Sequence, residues 1–150
     1  MDIYTVVRTL HSYLRWAVLI LALIVIVRAL IGYAQKKDFT AGDARNGLFF
    51  MISADTQLLL GLLLYFWLSP VGVKAFSTGQ AMKVPELRYF AVEHIAVMLI
   101  AWVLIHVGYS RVKKLSSQVA KHKTALIFYG IALILILSRV PWTARPLLRN

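Results

Sequence analysis

Four long apolar stretches, separated by short polar segments, take up most of the 150-residue chain. A helix needs about 20 apolar residues to cross a bilayer, so this chain has room for four spans and short loops. Backbone groups inside the bilayer must be hydrogen-bonded within the span, which requires helices. We therefore predict an all-α fold, a four-helix transmembrane up-down bundle that forms a single integral membrane domain over residues 1–150.

Polar segments and prolines predict where the spans end. Pro70 should end the second helix, Pro85 should precede the third, and Pro141 should stop the fourth before a short basic tail. The first apolar stretch is too long for a cleaved signal peptide, so we interpret it as a span. The predicted helices cover residues 3–34, 47–68, 86–114 and 123–140.

The net charge of +11 excludes few functions on its own, and its interpretation depends on the apolar composition of the chain. We expect basic loops that face anionic lipid headgroups and no binding of nucleic acid. The chain has no cysteine, which excludes disulfides, thiolate metal sites and covalently attached c-type haem. Five basic residues and no acidic one lie within residues 111–123. We therefore predict a multi-pass protein of the inner (cytoplasmic) membrane with both termini on the non-cytoplasmic side.

Two histidines provide the main functional signal. The first and third spans of a four-span chain run in the same direction, and His11 and His94 each lie about two turns after their span begins. Two imidazoles at one depth in a bundle are the axial ligands that a b-type haem requires. In an up-down bundle the first and third helices can be diagonal neighbours with space between them. We predict one haem b per chain, with His11 and His94 as iron ligands.

The haem propionates would need cationic partners. Arg8 and Arg15 lie one turn on either side of His11 on its own face, and arginine suits planar recognition of carboxylates. Lipid headgroup binding is the alternative role for these arginines. The predicted cofactor-binding residues are His11, His94, Arg8, Arg15, Arg88, Arg139, Phe90 and Met98.

Other polar residues of the spans have alternative interpretations. We expect ion pairs between Arg28 and Asp55 and between Glu93 and Arg139. A non-haem metal at His11, His94 and Glu93 is disfavoured, because adjacent residues of a helix point about 100° apart. A second haem is also disfavoured.

That second haem would need His106 and His122 as its ligands. His106 should point away from His94, and His122 lies between two lysines and should be solvated. Gln57, Tyr65 and Trp67 could contribute to a quinone pocket, although a bond to a neighbouring helix is the favoured role of Gln57.

Several segments resemble a known family. These are H-S-Y-L-R-W at 11–16, L-R-Y-F-A-V-E-H-I-A-V-M-L-I-A at 87–101, G-Y-S-R at 108–111 and R-V-P-W at 139–142. They resemble a small bacterial four-helix membrane family labelled "cytochrome B", which is distantly similar in plan to cytochrome b561. The resemblance implies a b-type haem with His11 and His94 as axial ligands. Larger cytochrome b families carry paired histidines at two depths, whereas this chain shows one pair.

These observations lead to two hypotheses. In the first, the protein is an electron-transfer protein rather than a stand-alone enzyme. It carries single electrons through one bis-histidine haem between the quinol pool and a partner protein. In the second, it is a haem-free structural or assembly subunit of a respiratory membrane complex, and its polar residues serve helix packing. An oligomer is compatible with either hypothesis.

Overall fold

The computed structural model describes residues 1–142. This part of the chain is an all-α four-helix bundle, and each of its four long helices is apolar and long enough to cross a membrane. The predicted basic tail lies outside the described residues. The first helix covers Ile3–Ala34, the second Ala41–Leu63, the third Pro85–Lys114 and the fourth Gln118–Ser138.

Capping residues set the helix starts. The Asp2 carboxylate accepts a hydrogen bond from the Thr5 backbone N–H at 2.7 Å, and this bond lowers the pKa of Asp2 below its ordinary value. Thr40 and Asp43 form a reciprocal capping box at the start of the second helix. Ser117 caps the fourth helix through the Ala120 backbone N–H.

These caps correct two predicted boundaries. The second helix begins at Ala41 rather than at residue 47, because the capping box satisfies its first N–H groups within the expected loop. The fourth begins at Gln118 rather than at residue 123 for the same reason, and it ends at Ser138 rather than at residue 140. Both loops at this end of the bundle are therefore shorter than predicted.

The helices form an up-down bundle in which the first and third are diagonal. The first helix packs against the second and fourth, and the third packs against the fourth and, less extensively, the second. Small residues allow close contacts: a Cβ atom on Gly108 of the third helix would lie 2.5 Å from the Cβ atom of Phe128 in the fourth. Phe50 and Ile105 are among the most deeply buried side chains of the core.

Each end of the bundle has a distinct structure. We call the end that holds the N-terminus and residues 69–84 the terminal end, and the opposite one the loop end. At the terminal end the second helix continues as a π-helical turn, Leu64–Leu68, and the third contains another, Tyr89–His94. The Tyr65 hydroxyl donates to the carbonyl oxygen of Ala91 at 2.9 Å and so joins the two π-helical turns. A 3-10 helix, Val73–Thr78, lies in the connection between them.

The two ion pairs expected from the sequence are both wrong. Arg28 pairs with Asp43 at 2.7 Å instead of Asp55, because the extended second helix brings its capping carboxylate beside the first helix. Glu93 pairs with Arg88 of its own helix at 2.9 Å instead of Arg139. The π-helical turn starts directly after Arg88 and contains Glu93, so it sets their spacing.

Candidate functional site

A central cavity lies in the terminal half of the bundle. All four helices and the connection after the second contribute to its wall, and its empty volume is about 1250 Å³ when the open mouth is included. Apolar side chains make up most of its wall, as is common in cofactor and ligand pockets. Because the first and third helices are diagonal, the cavity occupies the space between them.

Six of the eight predicted cofactor-binding residues line this cavity. They are Arg8, His11, Arg15, Phe90, His94 and Met98. The other two predicted residues, Arg88 and Arg139, are not part of its wall. The Arg88 side chain pairs with Glu93, and Nη1 of Arg139 donates to the Ser138 carbonyl oxygen at 2.9 Å.

Arg139 nevertheless contributes its backbone to the site. Nδ1 of His94 lies 2.8 Å from the carbonyl oxygen of Arg139, and the Tyr89 hydroxyl donates to the same oxygen at 2.7 Å. A carbonyl oxygen can only accept, so Nδ1 of His94 carries the hydrogen in this contact. In the neutral ring the lone pair is then on Nε2, and the fourth helix fixes the orientation of His94.

His11 is held by the second helix. The Gln57 side-chain amide donates to the His11 carbonyl oxygen at 3.0 Å, and its nitrogen lies 3.4 Å from Nε2 of the His11 ring. Gly61 lies against the ring, and a Cβ atom there would be 3.2 Å from Cε1 of His11. Any larger residue at position 61 would therefore press on the imidazole.

The cavity wall is cationic. Arg8 and Arg15 lie along it, and no aspartate or glutamate is among the described residues that line it. The Arg15 side chain is buried, and its Nε has no hydrogen-bond partner among residues 1–142. A buried guanidinium is costly unless an anion or another acceptor joins it. The wall therefore favours a ligand that has an apolar body and at least one carboxylate or other anionic group.

A second polar cluster lies nearer the loop end, between the second and third helices. Asp55 accepts a hydrogen bond from the Trp102 indole at 2.7 Å and also contacts Nε2 of His106 at 3.1 Å. Trp102 also lines the central cavity, whereas neither Asp55 nor His106 does. His106 is thus engaged by the second helix and does not approach His122.

His122 occupies a different environment from the one predicted. Its side chain is buried rather than solvated, and its ring covers Gly32 so closely that any side chain at position 32 would overlap it. Nε2 lies 3.3 Å from the carbonyl oxygen of Asp38, and the ring packs beside Phe39. His122 lines a second cavity at the loop end, and it helps to attach the first loop to the fourth helix.

The residues that orient the two histidines have weak sequence signals. Gln57 has two possible roles in the sequence, and the structure shows the bond to a neighbouring helix. The signal at Gly61 is a small residue at the depth of His11. The carbonyl of Arg139 has no sequence signal, since every residue carries one.

The described residues contain no group of three or more histidine, cysteine or acidic side chains that could hold a metal ion by themselves. Comparisons of the chain with protein-family models, curated proteins and solved structures found no match.

Proposed function

We propose that this multi-pass membrane protein is a b-type cytochrome. One haem b would occupy the central cavity with His11 and His94 as its axial ligands, and it would supply one-electron oxidation and reduction. With two histidine ligands, the site would favour electron transfer over oxygen binding. The protein would carry electrons between the quinol pool of the inner membrane and a partner protein, and its termini would face the non-cytoplasmic side.

The observation that carries this proposal is the orientation of His94 in a cavity that it shares with His11. Histidines that bind metals usually donate their second ring N–H to a backbone carbonyl or carboxylate, which fixes the tautomer and raises the basicity of the ligating nitrogen. The 2.8 Å contact from Nδ1 to the Arg139 carbonyl oxygen is of this kind. It assigns the lone pair of the neutral ring to Nε2.

The chemistry of the wall fits the rest of the group. A haem has a flat apolar body with two carboxylates, and the cavity combines an apolar wall with Arg8 and Arg15 and no described acid. Phe90 and Met98 belong to the apolar part of this wall. The two arginines would neutralise the propionates.

The contact between His11 and Gln57 favours the alternative function. A haem-free structural or assembly subunit would use His11 for helix packing, and the 3.4 Å separation between its Nε2 and the Gln57 amide nitrogen suits that role. Iron binding at Nε2 would require the amide to move away from the ring. The 3.0 Å bond from the same amide to the His11 carbonyl oxygen could remain.

A visible spectrum of the purified protein separates the two functions. We expect the dithionite-reduced minus oxidised spectrum to show a sharp α band, and a pyridine haemochrome assay to give about one haem b per chain. Protein that remains colourless after expression with haem supplied would contradict the proposal and support the structural subunit.

Histidine variants test the ligand assignment. His11→Ala and His94→Ala should each abolish haem binding, because a bis-histidine site loses an axial ligand in either variant. His106→Ala is the matched control and should keep a full haem content, since His106 contacts Asp55 and lies outside the cavity wall. A normal low-spin spectrum in both single ligand variants would refute the assignment.

A further inference from the structure

The cluster of Asp55, Trp102 and His106 uses only part of its hydrogen-bonding capacity. Both bonds that Asp55 accepts, from the Trp102 indole and from Nε2 of His106, end on Oδ1. Within the part of the chain that the structure describes, no hydrogen bond reaches Oδ2. A carboxylate oxygen near the middle of a membrane helix is therefore available to a donor from outside.

The ring of His106 contacts a hydrogen-bond acceptor at each of its nitrogens. Its Nε2 faces Asp55 Oδ1, and its Nδ1 lies 3.0 Å from the carbonyl oxygen of Trp102. Both contacts are hydrogen bonds at once if the ring carries hydrogen on both nitrogens, as an imidazolium does. An imidazolium beside a carboxylate is neutral overall, which lowers the cost of placing the pair in a membrane.

The cluster opens towards the lipid. The side chains of Asp55 and His106 are 38% and 32% exposed. The surrounding surface is apolar and exposed, and it includes Ile52, Leu59, Leu99 and Val103. Water is absent from the bilayer core, so an open carboxylate oxygen there lacks the partner it would have on a soluble protein.

These properties select one kind of occupant. It must dissolve in the bilayer, cover an apolar surface and present a hydroxyl group to Oδ2. A quinol has an apolar tail and an aromatic ring with two hydroxyl groups. A second copy of the chain would have to bring its own donor to Oδ2, and the hydroxyl of Thr56, the exposed polar neighbour of Asp55, already donates to the Ile52 carbonyl oxygen at 3.0 Å.

We propose that the lipid-facing surface around Asp55 and His106 binds the ring of a lipid-soluble quinol, with Asp55 Oδ2 as the acceptor of a quinol hydroxyl. This inference rests on the proposed function and gives its electron donor a docking position. Trp102 lies between this surface and the central cavity, because its indole N–H donates to Asp55 and its side chain also lines the cavity. The alternative position at Gln57 and Tyr65 is less suitable, since both residues line the central cavity that the proposed haem would occupy.

The test uses the full chain in lipid nanodiscs, with ¹⁵N-labelled histidine and dithionite present. The probe is a benzoquinol with a ten-carbon tail, which dithionite keeps reduced. We expect saturable shifts of the His106 ring nitrogen resonances and unchanged resonances of His122, which is buried at the other cavity. Asp55→Asn should weaken binding roughly tenfold or more, because hydrogen bonds to charged acceptors are the stronger ones.

Two further variants support the interpretation. Asp55→Glu keeps a carboxylate and should bind the probe more tightly than Asp55→Asn. It keeps the test decisive if Asp55→Asn folds poorly. Trp142→Phe is the control, because Trp142 lies at the terminal end and is exposed there. Its affinity for the probe should equal that of the unchanged protein.

Three outcomes would overturn the inference. The first is the absence of a saturable His106 shift, and the second is an affinity of Asp55→Asn for the probe that equals that of the unchanged protein. The third is a change in Asp55→Asn that affects only the oligomeric state, which would identify a second copy as the occupant. The readout does not need haem. If the protein takes up no haem when haem is supplied but still binds the probe, the cytochrome is refuted and the quinol site stands. If the protein takes up haem but does not bind the probe, only the quinol site is refuted.

Discussion

The two histidines of the central cavity are held by different kinds of contact. His94 is oriented by the backbone carbonyl of Arg139, directly after the fourth helix, and the Tyr89 hydroxyl bonds the same oxygen. His11 is positioned by the second helix, through the Gln57 amide and the absence of a side chain at Gly61. A hydrogen bond orients the His94 ring, whereas the His11 ring depends on the space beside Gly61. Different substitutions should therefore disturb the two rings.

Gly61→Val tests the steric part. A Cβ atom at position 61 would already lie 3.2 Å from Cε1 of His11, and the two methyl groups of valine would displace the ring. We expect the haem content to fall by roughly half or more, because overpacking forces neighbouring side chains away from their preferred positions. The pyridine haemochrome assay measures this ratio.

Gly130→Val is the matched control for that substitution. Gly130 lies within the fourth helix, and a Cβ atom there would meet no other atom within 4 Å. It introduces the same β-branched residue into a membrane helix without pressing on a neighbour. Equal haem contents in the two valine variants would show that Gly61 does not position His11.

The sequence predicts which residues come together only where their depth in the membrane decides it. His11 and His94 line one cavity because the first and third spans run in the same direction and both rings lie at similar distances from the span starts. Depth does not fix rotation about the helix axis. Arg28 and Asp55 therefore looked like partners, although Arg28 binds Asp43 and Asp55 binds Trp102.

At the scale of the helices, the start of the second helix depends on a capping box that the hydropathy pattern does not contain. The Thr40 hydroxyl accepts from the Asp43 backbone N–H at 3.2 Å, and the Asp43 carboxylate accepts from the Thr40 backbone N–H at 2.8 Å. Polar residues follow, so apolar periodicity begins only later in the helix. The prediction consequently placed this start too late.

Thr40→Ala should open the first turn of the second helix. The substitution removes the side-chain half of the box and costs about 1 kcal/mol of helix stability. We expect faster hydrogen exchange at the backbone amides of residues 41–44 and a small decrease in melting temperature. Thr56→Val is the control, because the Thr56 hydroxyl bonds within its own helix and caps nothing. Unchanged exchange at these amides would contradict a role for the box.

The π-helical turns could not be predicted, since they leave no mark on hydropathy or capping residues. Each inserts an extra residue into the helical repeat, and such insertions are frequent at functional sites. The turn Tyr89–His94 follows Arg88 directly, contains Glu93 and ends at the proposed ligand His94. Depth alone would pair Glu93 with Arg139, whereas the turn places Glu93 beside Arg88.

For the whole molecule, the number of spans and their alternation follow from hydropathy alone, because each apolar stretch is long enough to cross the bilayer once. The two ends of the resulting bundle differ in content. The terminal end holds the cavity with His11 and His94, and the loop end holds the buried His122. Any electron partner in water would approach the proposed haem from the terminal end, so the side to which that end faces matters for function.

Cysteine labelling can determine that side, because the natural chain has no cysteine to give a background signal. Ser77 is exposed in the connection at the terminal end, and Ser116 is exposed in the short turn at the loop end. An up-down bundle with four spans places these positions on opposite sides of the membrane. In intact spheroplasts, a membrane-impermeant maleimide should label Ser77→Cys, whereas Ser116→Cys should react only after permeabilisation. The reverse pattern would place the termini in the cytoplasm. It would contradict the orientation predicted from the basic residues at 111–123. Labelling of both variants in intact spheroplasts would contradict the four-span topology itself.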